Sequence, residues 1–477
     1  MSELPMGWES VTVGGVCSVA PSDPPLAPDA PFIPMASVEV GLRYPVSTEL
    51  RGDRGGIRAR AGDLLFARIT PCLENEKVAV VPPDLAVVGG STEFIVVRPP
   101  TGVASSILYY WSLHPLVRSH ARERMAGTTG RMRLSSSDLA EAPFWLPPTR
   151  EQERIVTAIE EAFSKLDAGE AGLRAVRQLL KRMREAVLAA AVTGCLVPQD
   201  ATETPATELL ADLGISLAQE MHEVPATWAW AALGSLLREP LRNGMSAVKA
   251  DASDGLPTFS ITAVTTGDFS SANIKHTAGD WSRAADLWAE TGDLFVQRSN
   301  TPELVGTARL YRGVPRAAIF PDLLIRIRPV RQVRAEWLEL VLSSPACRTF
   351  IRSQAQGLAG SMPKISQPVL ERLAVPVPPE EEQDRIVTEV ERQFSFIEAC
   401  ERAVETGLNR SEALRRAVLK AAFDGRLVPQ DPTDEPASAL LERIRGDAER
   451  RPPSRRRPRP ARSSGDPAGI ESRASRG

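Results

Sequence analysis

"PPTREQERIV" occupies Pro147–Val156, and "PPEEEQDRIV" occupies Pro378–Val387. The recurrence belongs to a longer duplication. Set against itself at an offset of 231 residues, the chain matches without a gap from Pro147 to Leu210. Phe163 falls on Phe394, and Leu196-Val197-Pro198-Gln199-Asp200 falls on Leu427-Val428-Pro429-Gln430-Asp431. Similarity of this length at one fixed period marks a repeated structural unit. The segments upstream of each copy match more weakly: Trp8 with Trp228, Gly62-Asp63-Leu64 with Gly292-Asp293-Leu294, and Arg98-Pro99 with Arg328-Pro329. The chain therefore reads as variable unit, constant unit, variable unit, constant unit.

The double proline ends any preceding strand and favours an extended approach. Thr149 and Gln152 fit a Thr-x-x-Gln capping box, in which the hydroxyl accepts from an early helix amide and the glutamine reaches back to the cap amide. The second copy has Glu380 at the cap, leaving Gln383 and an acidic first turn that suits a helix N-terminus. The predicted role of the Glu-Gln pairs is helix initiation, not catalysis.

Behind each start runs an apolar pattern in alternating steps of four and three. The first copy places Ile155, Ile159, Leu166, Leu173, Val176, Leu180, Met183 and Val187 on it; the second places Ile386, Val390, Ile397, Val404, Leu414 and Val418. Such a heptad pattern predicts long helices with a coiled-coil seam, and the simplest partner for one seam is the other, antiparallel. Gly194 and Gly425 stand where left-handed caps would end them. The variable units are mixed with a β bias: "LLFARI", "KVAVVP" and "EFIVVRP", with "LFVQRS", "TARLY" and "LLIRIRP" as counterparts, are short β-branched runs. Helical stretches follow at 104–126 and 334–356. The predicted class is α+β, two mixed domains separated by two long helices. The ranges are 1–146 and 214–377 for the variable domains, 147–213 and 378–445 for the helical units, and 446–477 for a disordered basic tail. That tail carries nine arginines against four acids.

Enzyme chemistry finds little support. Five scattered cysteines and four histidines offer no zinc or nucleophile cluster, so no metal site is expected. No GxxxxGK[ST] is present. Asp23-Pro24-Pro25-Leu26 lacks the aromatic fourth residue of an amino-methyltransferase motif. The Pro-Asp pairs near Pro82 and Phe320 lack a following Glu-x-Lys. No apolar run is long enough to cross a bilayer, and a soluble cytoplasmic chain is expected. Basic side chains in the variable units are candidates for DNA contact. They are Arg68, Lys77, Arg98, Arg131 and Arg133 in the first unit, and Arg298, Arg309, Arg326, Arg328 and Lys364 in the second. Several lie on or near the glycine-rich loops "GTTGRMRLS" (127–135) and "GLAGSMPKIS" (357–366), which suit phosphate and base-edge contacts.

"LPPTREQERIVTAIE" and "VPPEEEQDRIVTEVE", closing with "GCLVPQD" and "GRLVPQD", resemble the constant regions of type I restriction–modification specificity subunits. The duplicated order resembles that family along nearly the whole chain. The resemblance implies a non-catalytic DNA-recognition subunit, each variable domain reading one half of an asymmetric bipartite site. It implies that the helices set the spacer and dock two methyltransferase subunits, with restriction/translocase subunits joining them. S-adenosylmethionine, ATP and Mg2+ are then expected on those partners and no cofactor on this chain. The rival readings are a coiled-coil scaffold without DNA readout and the recognition portion of a fused methyltransferase–nuclease.

Overall fold

The computed structural model describes residues 4–450 apart from 129, 247, 250–254, 280, 283 and 358–361. The expected tail beyond 450, and 358–361 of the second glycine-rich loop, lie outside the described residues. In chain order the first half contributes β1 (Glu9–Thr12), β2 (Ser18–Val19), β3 (Leu64–Ala67), β4 (Val78–Val80), β5 (Phe94–Arg98), α1 (Ser105–Ser112), α2 (Pro115–Glu123), β6 (Ala126–Thr128), β7 (Arg131–Arg133), β8 (Pro143–Leu146), α3 (Thr149–Val192) and α4 (Ala206–Asp212). The second contributes β9 (Ala229–Ala232), β10 (Arg242–Asn243), β11 (Leu294–Gln297), β12 (Ala308–Leu310), β13 (Leu324–Ile327), α5 (Ala335–Ser343), α6 (Pro345–Gln354), β14 (Ala374–Val377), α7 (Glu380–Phe423) and α8 (Ala437–Arg450). α8 runs to Arg450, past the expected start of the tail at 446.

The chain divides into two compact units, one of residues 1–169 with 410–477 and one of residues 170–409. Each repeats one plan. In the first, β1 pairs antiparallel with β8, and a four-stranded sheet runs β2-β5-β3-β4. In the second, β9 pairs with β14 and the sheet runs β10-β13-β11-β12. The second sheets differ. The first unit adds four strands, including Pro31–Ile33 and Ile57–Arg60; the second adds three, including Leu256–Phe259 and Ile274–Ala278. The duplicated scaffold thus persists under divergent layers.

The helical stretches expected at 104–126 and 334–356 are each broken in two. Pro115 and Pro345 open the second helix of each pair, where a residue without an amide donor is tolerated. His114 and Ser344 accept from the amides of Leu116 and Cys347 at the breaks.

The start of α3 corrects the capping-box expectation. Thr149 is already helical, and its hydroxyl donates to the Gly102 carbonyl at 3.3 Å. Gln152, fully buried, accepts from the Ala104 amide at 2.9 Å and donates to the carbonyls of Gly102 and Pro147. Gln383 repeats this, accepting from the Arg334 amide at 2.8 Å and donating to Gln332 and Pro378. The glutamines therefore staple the helix foot to the loop before α1 or α5, because that loop brings otherwise unpaired backbone groups into the core.

The neighbouring glutamates are hubs. Glu151 accepts from the Trp8 indole at 2.9 Å and from Gln430 at 2.7 Å. Glu382 accepts from Trp228 at 2.9 Å and Gln199 at 2.6 Å. The "LVPQD" segment after one helix thus closes the unit at the foot of the other. Arg154 with Asp434, and Arg385 with Glu203, add ion pairs to these closures. Leu440 and Leu441 of α8 complete the first unit's main core, as Ala206 and Leu210 complete the second's.

The seam is shorter than its pattern. In the second unit Leu180, Ile397 and Val404 form a small cluster with Leu173 and Cys400 beside it. Arg177 pairs with Glu405, and Arg184 with Glu401, so the segments run antiparallel. In the first unit Arg415 pairs with Asp167 and lies over the Phe163 ring at 5.0 Å. Its counterpart, Arg184, lies over Phe394 at 4.5 Å. The remaining positions separate into two groups. Ile155, Ile159 and Val418 pack into the first unit's main core, and Val187, Ile386 and Val390 into the second's. Leu166 is half-buried, whereas Val176, Met183 and Leu414 are exposed. A single partner covers only a narrow stripe, so apolar residues at its flank stay in solvent.

Candidate nucleic-acid interface

The chain leaving β3 at Arg68 is joined to the glycine-rich loop. The Leu134 amide donates to the Arg68 carbonyl at 2.8 Å, and the Thr70 amide to Met132 at 3.1 Å. The β6–β7 hairpin carrying Arg131 and Arg133 is thereby fastened beside Arg68. Gly127 has φ +141°, and an added Cβ would stand 2.6 Å from the Arg131 carbonyl oxygen, so this hairpin needs glycine. Arg131 is exposed. Arg133 forks onto Glu93 at 2.7 and 3.0 Å, and this hydrogen bonding holds the Glu93 carboxyl below its ordinary range.

Arg68 is half-buried, and its Nε has no partner. It lines a cleft of about 430 Å³ with Ser22, Arg58, Thr92 and Ser136. A half-buried arginine lining a cleft beside hydroxyls is suited to an incoming phosphate or base edge. Ser22, Arg58, Thr92 and Ser136 were not among the sequence candidates. Each is unremarkable in its own segment, and only the fold gathers them.

The second unit repeats the joint. The Ile365 amide donates to the Arg298 carbonyl at 2.9 Å, and Ser299 bridges Lys364. Lys364 exchanges two backbone hydrogen bonds with Gln356, at 2.8 and 2.9 Å, and stays exposed. Arg298 is half-buried, its Nη1 lying 3.5 Å from the Asp322 carbonyl. The fold therefore gathers Arg68, Arg131 and Arg133 in one unit and Arg298 and Lys364 in the other.

The other candidates have partners within the fold or line another cleft. Arg98 donates to Asp63 at 2.6 and 2.8 Å and to Asp23 at 2.6 Å, and both carboxylates are buried. Arg328 donates likewise to buried Asp293 and to Glu239. Asp63 and Asp293 also accept from the Arg60 and Glu290 amides, fixing the turn before the strand. Arg98 is thus held by two buried carboxylates, and Arg328 by buried Asp293 and part-exposed Glu239. Hydrogen bonding from Arg98 lowers the pKa of Asp23, whose "DPPL" context is an ion-pair site. Arg326 is buried and donates to the Asp286 carbonyl at 2.9 Å; burial lowers its pKa. The Lys77 ammonium donates to the Met35 carbonyl at 3.2 Å. Arg309 lines a different cleft, of about 760 Å³, with Arg184, Arg312, Arg348 and Glu391.

Among the described residues, no three His, Cys, Asp or Glu side chains are grouped to hold a metal ion. Among them, no helix is long and apolar enough to cross a membrane.

No protein-family model matches the chain. It is 28% identical over 363 residues to the type I restriction enzyme EcoKI specificity subunit of Escherichia coli strain K12, covering 74% of each chain. It is 23% identical over 500 residues to the EcoEI specificity subunit of Escherichia coli, covering 87% of this chain and 83% of that one. A chain from a study of complex assembly and conformational transition of the type I R-M system superposes with a TM-score of 0.65 at 21% identity, covering 89% of this chain and all of that one. The HsdS subunit from Thermoanaerobacter tengcongensis superposes with a TM-score of 0.52 at 21% identity, with 89% and 98% covered. These two structures share the fold.

Proposed function

We infer that this chain, a relative of the type I restriction–modification specificity subunits, is the non-catalytic DNA-recognition subunit of such a complex. The observation that carries the reading is the duplicated joint: Arg68 with Arg131 in one unit and Arg298 with Lys364 in the other. Two domains on one scaffold with divergent layers suit two different half-sites. Phosphate contacts would come from the arginines and lysine; sequence would be read by residues that differ between the units. The helices α3 and α7 would set the spacer and dock methyltransferase subunits. S-adenosylmethionine would then be bound by those partners, and ATP and Mg2+ by restriction subunits.

The test is DNA binding by the chain reconstituted with its methyltransferase subunit, followed across salt concentrations. Replacing Arg131 or Lys364 by Ala is expected to weaken binding and to lower the log–log salt slope by about one for each phosphate contact removed. Unchanged affinity at every salt concentration would remove these residues from the interface. Binding of no duplex by the wild-type complex would favour the scaffold reading instead.

A further inference from the structure

Behind each joint lies a second duplicated device. In the first unit the loop of residues 70–77 connects β3 to β4; in the second, residues 298–307 connect β11 to β12. Two arginines one helical turn apart face each loop. Arg118 of α2 donates to the Leu73 carbonyl, and Arg122 to the Glu74 carbonyl at 3.5 Å. Arg348 of α6 donates to the carbonyls of Val305 at 2.8 Å and Glu303 at 2.9 Å, and Arg352 to Glu303 at 2.6 Å. Arg118 is only 2% exposed, with Nε and Nη1 unpartnered and the Phe66 ring 5.2 Å away. Burial pushes both Arg118 and Arg348 down to about 10. A buried cation such as Arg118, with no carboxylate among its hydrogen-bond partners, is costly to keep; Arg348 holds the matching place half-buried.

Every acceptor is a backbone carbonyl. The loops share Thr-Pro-x-Leu, at Thr70–Leu73 and Thr301–Leu304, and differ in the x residue and after the leucine; both are clamped through carbonyls near that leucine, which are present whatever the side chain. The loop is in turn tied to the joint. The Leu73 amide donates to Ile69 at 2.8 Å, and the Val305 amide to Thr301 at 2.9 Å, next to the segments that hold the hairpin and Lys364. Glu76 and Gly306 both adopt left-handed backbone where the loop re-enters the sheet.

We propose that Arg118 with Arg122, and Arg348 with Arg352, are positioning residues. Each pair fixes, within its own unit, the segment that meets DNA while leaving that segment's side chains free to vary. The proposal rests on the recognition reading above. A clamp that acts within one unit must govern one half-site and not the other.

The experiment uses the complex reconstituted with its methyltransferase subunit and the bipartite duplex found by mapping methylated adenines in cells. Competition binding compares that duplex with duplexes altered in one half-site or the other, for wild type, Arg352→Ala, Arg352→Lys and Arg122→Ala. Arg352→Ala is expected to shrink the discrimination at one half-site by about tenfold and to leave the other half-site and binding to random duplex unchanged. Arg122→Ala is expected to do the same at the opposite half-site, and Arg352→Lys to restore part of the loss. Discrimination unchanged at both half-sites, or equal loss at both and on random duplex, overturns the clamp alone. Absence of discrimination by the wild-type complex overturns the recognition reading and the clamp with it.

Discussion

At Glu382 a carboxylate sits in the core with two neutral donors, Trp228 and Gln199, and burial raises its pKa above the ordinary 4.5. Glu151 is placed and shifted in the same way. A carboxyl that binds its proton more tightly when folded favours the fold most at pH below 4.5. That contribution is lost as pH rises from there to the folded pKa. The second unit is therefore expected to lose denaturant resistance across this window, and Glu382→Gln to remove the loss; equal pH profiles would disprove it. Asp23 behaves oppositely. Hydrogen bonding from Arg98 lowers its pKa, so its contribution is present above 3.8 and fades as pH falls further. Arg98 and Arg328 recur at matched positions in the two units, each bound to a buried aspartate. On the proposed recognition role, residue types kept by both domains would not carry a difference between half-sites; they would serve the fold or the invariant phosphate backbone.

At the scale of elements, α3 and α7 show how far a periodic pattern reaches. Their starts, lengths and antiparallel contacts follow from the sequence, because helical periodicity is local. The depth of each seam position does not, since it depends on which surface arrives opposite. Leu180 is 5% exposed against Ile397 and Val404, and Met183, one turn on, is 38% exposed. Leu180→Ala is expected to cost about 2–5 kcal/mol in chemical denaturation, as for other buried leucines. Met183→Ala should remain within about 0.5 kcal/mol, as at an ordinary surface position. Comparable losses at both would restore the continuous seam. The broken helices α1–α2 and α5–α6 carried a visible signal at Pro115 and Pro345; the apolar run around them masked it.

Across the whole molecule, each unit is closed by the segment that follows the long-helix end it contains. Ending the chain at Arg426 would remove Gln430 from Glu151, Asp434 from Arg154, and Leu440 and Leu441 from the first unit's core. Each of those leucines is worth about 1.5–3 kcal/mol of burial. Hydrogen exchange in the shortened chain should quicken in β1, β8 and the start of α3, while β9, β14 and the start of α7 keep their protection. Uniform quickening, or none, would contradict a closure confined to one unit.

The sequence by itself determined the duplication, the α+β alternation, the helix starts and the family likeness. Each of these is written in local order: a repeat offset, a period of two or 3.6, a proline or glycine at a boundary. Only the tertiary structure decided that Glu151 receives Trp8 and Gln430, 143 and 279 residues away. It also decided that Arg98 is held by Asp23 and Asp63 while Arg131 is left exposed. One arginine looks like another in a sequence; what separates them is the carboxylate, carbonyl or solvent that folding brings within about 3 Å, and that pairing is non-local.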